Sequence, residues 1–213
     1  MSGKNMVLMV FNLIVVVTAS AYAAPAVEVS GDLKLSGTGT ISFPDGSVQT
    51  TAGDCHGRYE DNGDGTVTDC RTGVIWLKNA KCTDTSGAIT NTNGYLTWAD
   101  ANTWVAGLGK GLCGLTDGSS AGDWRLPTKT EWMAMVQSAR KHGYIYPSLT
   151  NTAGTGQWAA GDIFDVIQSN CYWSSSTYAG NTGYAWFVNM YDGSVHSNNK
   201  TINYYVWPVR GGQ

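Results

Sequence analysis

Few side chains in this sequence are of types that could do covalent or metal chemistry. They are five cysteines (Cys55, Cys70, Cys82, Cys113 and Cys171), three histidines (His56, His142 and His196) and 16 carboxylates, most of them at turns or caps. The histidines stand far apart and no G-x-S-x-G frame accompanies them. No C-x-x-C pair supports a zinc site. Paired carboxylates for glycoside hydrolysis need only meet in space, so spacing does not test them. Glu60, Glu131, Asp162 and Asp165 are the acidic residues that a glycine turn does not already explain, and Glu131 is taken up as a helix cap. No catalytic residue is assigned, and the protein is read as a binder rather than an enzyme. The segment "DNGDGTVTD" offers calcium hard oxygens from Asp61, Asn62, Asp64 and Asp69. Its spacing departs from the EF-hand loop, which also needs a bidentate Glu at its end. A plain hairpin turn accounts for the same residues, since Asn, Gly and Asp tolerate positive φ and Asp bonds turn amides. No cofactor is expected, with calcium at this turn as the alternative.

The stretch with the most binding potential is "YDGSVHSNNKTINYY", Tyr191 to Tyr205. Tyrosine presents a broad, rigid ring at low entropy cost, and Asn and Ser add adaptable hydrogen bonds, as in antibody paratopes. Such rings also stack on the C–H faces of sugars. The candidate contacts are Tyr191, Asp192, His196, Asn198, Asn199, Lys200, Asn203 and Tyr204, flanked by Tyr178, Asn181 and Tyr184. The plainer reading of the same stretch is a solvated hairpin and loop.

Charge narrows the partners. Only 14% of residues are charged, with a formal net charge of -3, which offers no basic footprint for nucleic acid and no polybasic patch for a membrane surface. An export signal is read at the start: Lys4, the apolar run Met6 to Val17, and the small-x-small site Ala21-Tyr22-Ala23, with cleavage after Ala23. The apolar run is short for a bilayer span, which takes about 20 residues, so no membrane insertion is expected once it is removed. The expected location is secreted, periplasmic or cell-surface. Export favours disulfides. Five cysteines leave at least one unpaired or paired between chains. Sequence does not fix the connectivity; the pairing carried forward is Cys55–Cys70, closing a hairpin, and Cys82–Cys113, tying a loop to a helix end, with Cys171 as the thiol.

The elements that must position these residues fall into two parts after the signal of residues 1–23. Residues 24–54 are poor in aromatics, and Val27, Val29, Leu33 and Leu35 alternate with polar residues, the period of a half-buried strand. Pro44-Asp45-Gly46 marks a turn. Residues 55–213 form the main domain. Strands are predicted at Arg58 to Glu60, Thr66 to Asp69 and Val74 to Lys78. A helix over Thr97 to Leu108 carries Trp98, Ala101, Val105 and Leu108 on one face. A second begins at a Thr128/Glu131 capping box with the stripe Trp132, Met135, Val136 and Ala139. Short strands return after Cys171, closing with "VWPVR" as a buried strand. The class is α+β.

Three resemblances extend this reading. "FPDG" and "QTTA" resemble segments ahead of phage tail-fibre tips, which implies a β-rich, trimerising neck over residues 24–54 and a homotrimer. "DNGDGTVTDCRTGVIWLKNAKC", "DWRLPTKTEW", "YWSSSTYA" and "YYVWPVRGGQ" occur in the order found in the domain family named for the C-terminal domain of the Legionella collagen-like protein, which this chain closely resembles from about Arg58 to Gly212. "WRLPTKTEW" is also similar to an element of the formylglycine-generating and sulfatase-modifying proteins. That likeness implies a C-type-lectin-like domain: a small mixed sheet, two helices and long loops. It does not imply their oxidase chemistry, which uses two cysteines in the C-terminal half where this chain has only Cys171. In the collagen-like adhesin the related domain is implicated in binding sulfated glycans. Other lectin-like relatives are variable proteins of diversity-generating retroelements, whose mutable codons yield the Asn, Tyr, Ser, Asp, Thr and His crowded here. The expected function is therefore an exported, adhesin-like module recognising a glycan or surface protein. The net acidity makes a neutral glycan or a protein at least as natural a partner as a sulfated polymer. The alternative is a structural or assembly protein of the cell envelope.

Overall fold

The computed structural model describes residues 40–42, 48–50, 55 and 57–211. The export signal expected over residues 1–23 and the alternating segment at Val27 to Leu35 lie outside them. Within the segment expected to form a neck, β1 (Thr40–Ser42) and β2 (Val48–Thr50) pair antiparallel, Thr40 opposite Thr50, on either side of Pro44-Asp45-Gly46 in the sequence.

The main domain is α+β, two antiparallel-rich sheets and two helices. One sheet has four strands, in the order β11-β5-β4-β3: β3 (Tyr59–Asp61), β4 (Thr66–Asp69), β5 (Val74–Leu77) and β11 (Val209–Gly211). The other has five, in the order β6-β10-β7-β8-β9: β6 (Tyr95–Leu96), β7 (Cys171–Thr177), β8 (Tyr184–Asn189), β9 (Ser194–Asn199) and β10 (Tyr204–Tyr205). Between β6 and β7 in sequence lie α1 (Trp98–Ala106) and α2 (Lys129–Lys141).

α2 follows its sequence signal closely. Thr128 accepts from the Glu131 amide, Glu131 reaches back to the Thr128 amide at 2.7 Å, and the stripe Trp132, Met135, Val136 and Ala139 is buried. Arg125 adds a two-pronged ion pair to Glu131, at 2.6 and 2.8 Å. Burial alone would raise the Glu131 carboxyl. The Arg125 hydrogen bond and the Thr128 amide and hydroxyl outweigh it and hold the group below the usual carboxylate range. α1 is shorter than its pattern suggested. It is capped by Thr97 and stops at Gly107, although Leu108 beyond it is still buried. Trp104 joins its buried face, whereas Trp98 is only half-buried, its indole donating to the carbonyl of buried Ser174 at 2.8 Å.

"VWPVR" is not one strand. Of its five residues only Val209 and Arg210 are in a strand, β11 of the four-stranded sheet, while Tyr204–Tyr205 just before it pairs into the five-stranded one. Pro208, which has no N–H to donate, falls in the crossing. Val206 and Val209 are both fully buried, as expected.

The core where the sheets and α2 meet is tryptophan-rich. Trp76, Trp132 and Trp207 pack with centroids 4.9 to 5.9 Å apart, Trp207 edge-on to the other two and Trp76 tilted against Trp132, and Tyr172 and Phe164 close around Trp207. Buried indoles need acceptors: Trp132 donates to the Trp173 carbonyl at 3.0 Å, and Trp207 to the Leu77 carbonyl at 2.7 Å. Beside this core sits a buried ion pair. Arg58 Nε and Nη2 bond both oxygens of Asp69 at 2.8 and 2.6 Å, and Nη2 also reaches the Ala134 carbonyl of α2. The disulfides are Cys55–Cys70 and Cys82–Cys113, and Cys171 is a free cysteine.

Candidate functional site

The expected contacts on the C-terminal stretch do not form one continuous face. A strand rises about 3.3 Å per residue and alternates its side chains, so the six-residue β9 carries them to two faces and two ends.

The first group lies on the outward face of the five-stranded sheet. Trp173, Phe187 and His196 stand opposite one another across β7, β8 and β9. Tyr204 leans over Trp173 and Phe187, 4.6 and 4.7 Å between centroids, and its hydroxyl accepts from Asn198 at 2.8 Å. His196 is exposed at the edge of this rack. Cys171 adjoins it, and burial pushes the thiol up to about 11, partly offset by the Tyr204 hydroxyl. A thiol so protonated is a poor nucleophile at neutral pH.

The second group is at the Gly193 end. Tyr191 packs edge-on against Tyr146 with centroids 4.0 Å apart, and their hydroxyls bond to each other. Asp192 accepts from the Ser194 amide at 2.9 Å. Burial is a raising influence on its carboxyl, but Ser194 and His196 bring it below the ordinary range. Asn203 is not part of this group: it is exposed in the β9–β10 loop, at the other end of β9.

The third group is at the other end, where the β7–β8 turn and the β9–β10 loop meet. Tyr184 is opposite Asn199, and the Lys200 amide donates to the Gly183 carbonyl. Tyr178 stands edge-on to Trp186 at 5.5 Å. The Lys129 ammonium sits 3.4 Å from the centroid of Trp186, and that of Lys200 sits 4.0 Å from Trp98. Both lysines are tied to adjacent residues of β7: the Lys129 amide donates to Ser176 Oγ, and Lys200 Nζ to Thr177 Oγ1 at 2.9 Å. Asn181 and Asn199 spend their carbonyl oxygens on turn amides. Trp98, Trp186 and Lys129 were not among the sequence candidates. Trp186 had a usable signal: alternation along "YAWFVN" puts it on the face opposite Phe187.

The acidic residues are mostly committed. Asp61 bonds the Gly63 amide and Lys78, Asp64 bonds Thr66, Asn62 bonds Thr66 and Thr68, and Asp69 is the buried partner of Arg58. The four calcium candidates thus point into a turn and two ion pairs rather than onto a common point. Asp162 caps the Ala159 amide. Asp61, Asp84 and Asp165 line a cleft of about 470 Å³ beside the Cys82–Cys113 disulfide. Lys78 holds Asp61 there at 2.6 Å, and Asp84 accepts from the Cys113 amide at 2.6 Å.

The family follows from residues 65–210, which match the model of the Lcl C-terminal domain. The chain belongs to that family. The matched span runs from the β3–β4 turn to Arg210 in β11, so an Lcl C-terminal domain here comprises both helices, the whole five-stranded sheet and most of the four-stranded one. No curated protein matches the chain.

Proposed function

We propose that this protein is an exported, adhesin-like binding module that recognises a glycan or a surface protein through the β7–β8 end of its five-stranded sheet. The observation that carries this reading is the convergence there of Tyr178, Trp186 and Trp98 with the ammonium groups of Lys129 and Lys200. Half-exposed indoles stack on sugar C–H faces, and ammonium groups donate to hydroxyls or acidic groups beside them. Asn181 and Asn199 add amide donors at the rim, and the Tyr204–Asn198 rack supports the sheet beneath them. Two disulfides suit an oxidising compartment, secreted, periplasmic or at the cell surface. Among the described residues no helix is long and apolar enough to cross a membrane. A neck over residues 24–54 that trimerises would present three such ends together, raising avidity for a repetitive surface.

A glycan microarray probed with the full exported chain tests this reading. Selective signal is expected from the parent and its loss from Trp186→Ala and Lys200→Ala, both folded. A blank array with folded parent protein would sink the glycan version and leave protein partners.

A second reading, an assembly role in the cell envelope, draws on the opposite end. Tyr146 and Ile145 are 56% and 43% exposed, and Tyr191 beside Tyr146 is 38% exposed. Large apolar groups left in water mark contact surfaces when they are clustered. That version expects a concentration-dependent oligomer in ultracentrifugation, weakened by Tyr146→Ser.

A further inference from the structure

β9 ends the five-stranded sheet, and one of its sides has no neighbouring strand among the described residues. Main-chain bonds at the two ends of β8 fix which groups lie on that side. The Lys200 amide donates to the Gly183 carbonyl and the Gly193 amide to the Asn189 carbonyl, whereas the Met190 amide turns the other way, to the Asn170 carbonyl before β7. Antiparallel ladders alternate, so the odd-numbered residues of β8 aim their N–H and C=O groups at β9. Ser194, His196 and Asn198, opposite Asn189, Phe187 and Ala185, aim theirs back. Val195, Ser197 and Asn199 therefore aim theirs away from the sheet. Asn199 is closed off within the chain: its amide donates to Asn198 Oδ1 at 2.8 Å, and its carbonyl accepts from the Ile202 amide at 3.1 Å. The N–H and C=O groups of Val195 and Ser197 have no such partner among the described residues.

An open edge is a template for another strand, and proteins guard theirs with lysine, proline, a bulge or brevity. The outer strands β6, β3 and β11 are guarded by brevity, with two, three and three residues. β9 has six, Ser194–Asn199, and keeps an unbroken register against β8. No lysine, arginine, proline or carboxylate falls within it. Charge stands just outside its two ends instead, Asp192 at one and Lys200 at the other.

We infer that β9 pairs antiparallel with β9 of a second copy of this chain, about a twofold axis at His196, joining the two five-stranded sheets into one. The free main-chain groups select this register. Val195 comes opposite Ser197 of the second copy, and Ser197 opposite Val195 of the second copy. Each of these pairs then exchanges both of its hydrogen bonds, and none of the open groups is left over. The same register sets Asp192 opposite Lys200 of the second copy at both ends, so that opposite charges meet. A parallel pairing would set like charges together. His196 faces His196 of the second copy in a non-hydrogen-bonded pair, where Cα atoms come within about 4.5 Å. The contact uses the same strand from both copies, so it closes at the pair and does not propagate along the edge. It depends on the sheet edge alone and holds whichever ligand the β7–β8 end takes.

Sedimentation equilibrium on the full exported chain, beside Ser197→Pro, tests the pairing. Proline is tolerated where an edge N–H faces solvent, so this variant keeps the fold, checked by circular dichroism, and loses the pairing. The mass of the parent should rise with concentration to at least twice that of Ser197→Pro. A second pair of variants needs no proline. Asp192→Lys sets like charges opposite each other at both ends and should weaken the association about tenfold. Adding Lys200→Asp to it should restore the parent's behaviour. His196→Cys in a Cys171→Ser background should yield a covalent dimer on oxidation, since about 4.5 Å between Cα atoms lies within disulfide reach. A parent that sediments as Ser197→Pro does at every concentration would overturn the inference. So would an association that survives Ser197→Pro and yields to Tyr146→Ser, which would belong to the tyrosine patch instead. A charge swap that restores nothing would overturn the antiparallel register.

Discussion

The β3–β4 turn and the β7–β8 turn both draw on Asn, Gly and Thr with a lysine close by, yet they dispose of their polar groups in opposite ways. In the first, both oxygens of Asp61, both ends of the Asn62 amide and Asp64 Oδ1 are bonded within the turn or to Lys78. In the second, Asn181 gives only its carbonyl oxygen to a turn amide, Tyr178 is exposed, and two lysines are held over indoles rather than against carboxylates. Composition does not separate a structural turn from the recognition surface proposed at the β7–β8 end. A count of where each donor and acceptor goes does.

The sharpest way to break this contrast is at the centre of the structural side. Asp69→Ala should cost about 3–5 kcal/mol, because it leaves a buried guanidinium uncompensated, and urea denaturation reads it. A loss below about 1 kcal/mol would mean that the four-stranded sheet is no more committed internally than the other end. Next in size is the Cys82–Cys113 link, which closes a loop of 31 residues. Replacing both cysteines with serine is expected to cost about 2–4 kcal/mol while leaving any ligand signal at the β7–β8 end in place.

A smaller effect concerns acid. The Glu131 carboxyl is lower in the folded protein than its ordinary value. Its contribution is therefore complete above the unfolded pKa, about 4.3, and fades as pH falls through the lower folded value. Glu131→Gln keeps the capping geometry and should flatten the stability profile below about pH 4.5, checked by thermal melts from pH 3 to 7. The smallest change in stability is expected at the proposed recognition side. Trp186→Ala and Lys200→Ala should each shift stability by about 1 kcal/mol or less, the scale of an exposed cation–π pair. A cooperative collapse on Trp186→Ala would recast that end as scaffold.

Local signals survived into the structure where they were strong and short-range. Thr128 and Glu131 announce α2 because a capping box is complete within four residues, and the Trp132-to-Ala139 stripe has a helical period that the core then uses. The Cys55–Cys70 and Cys82–Cys113 pairs were readable as a choice among few partners, though not as a deduction. β6 and β10 were not resolved by their own pattern. Each has two residues, and they exist because Tyr95 and Leu96 find Tyr205 and Tyr204, a pairing that no local window contains. The same cause scattered the candidate site. Tyr191 and Lys200 are near in sequence but sit beyond opposite ends of β9, while Lys129 joins Lys200 from a distant helix start.

The arrangement of β11 has a consequence for how the protein is made. Val209 to Gly211 completes the sheet begun by Tyr59, lying against β5, and Trp207 reaches the Leu77 carbonyl across a separation of 130 residues. Contacts of such span raise contact order and slow folding, since a long loop must close before they reward it. A ribosome that has delivered only β3 to β9 has made a chain with an open strand edge and an unfilled place beside Trp76 and Trp132. Folding must therefore wait for nearly the whole domain to emerge, a schedule compatible with crossing a membrane as an unfolded thread.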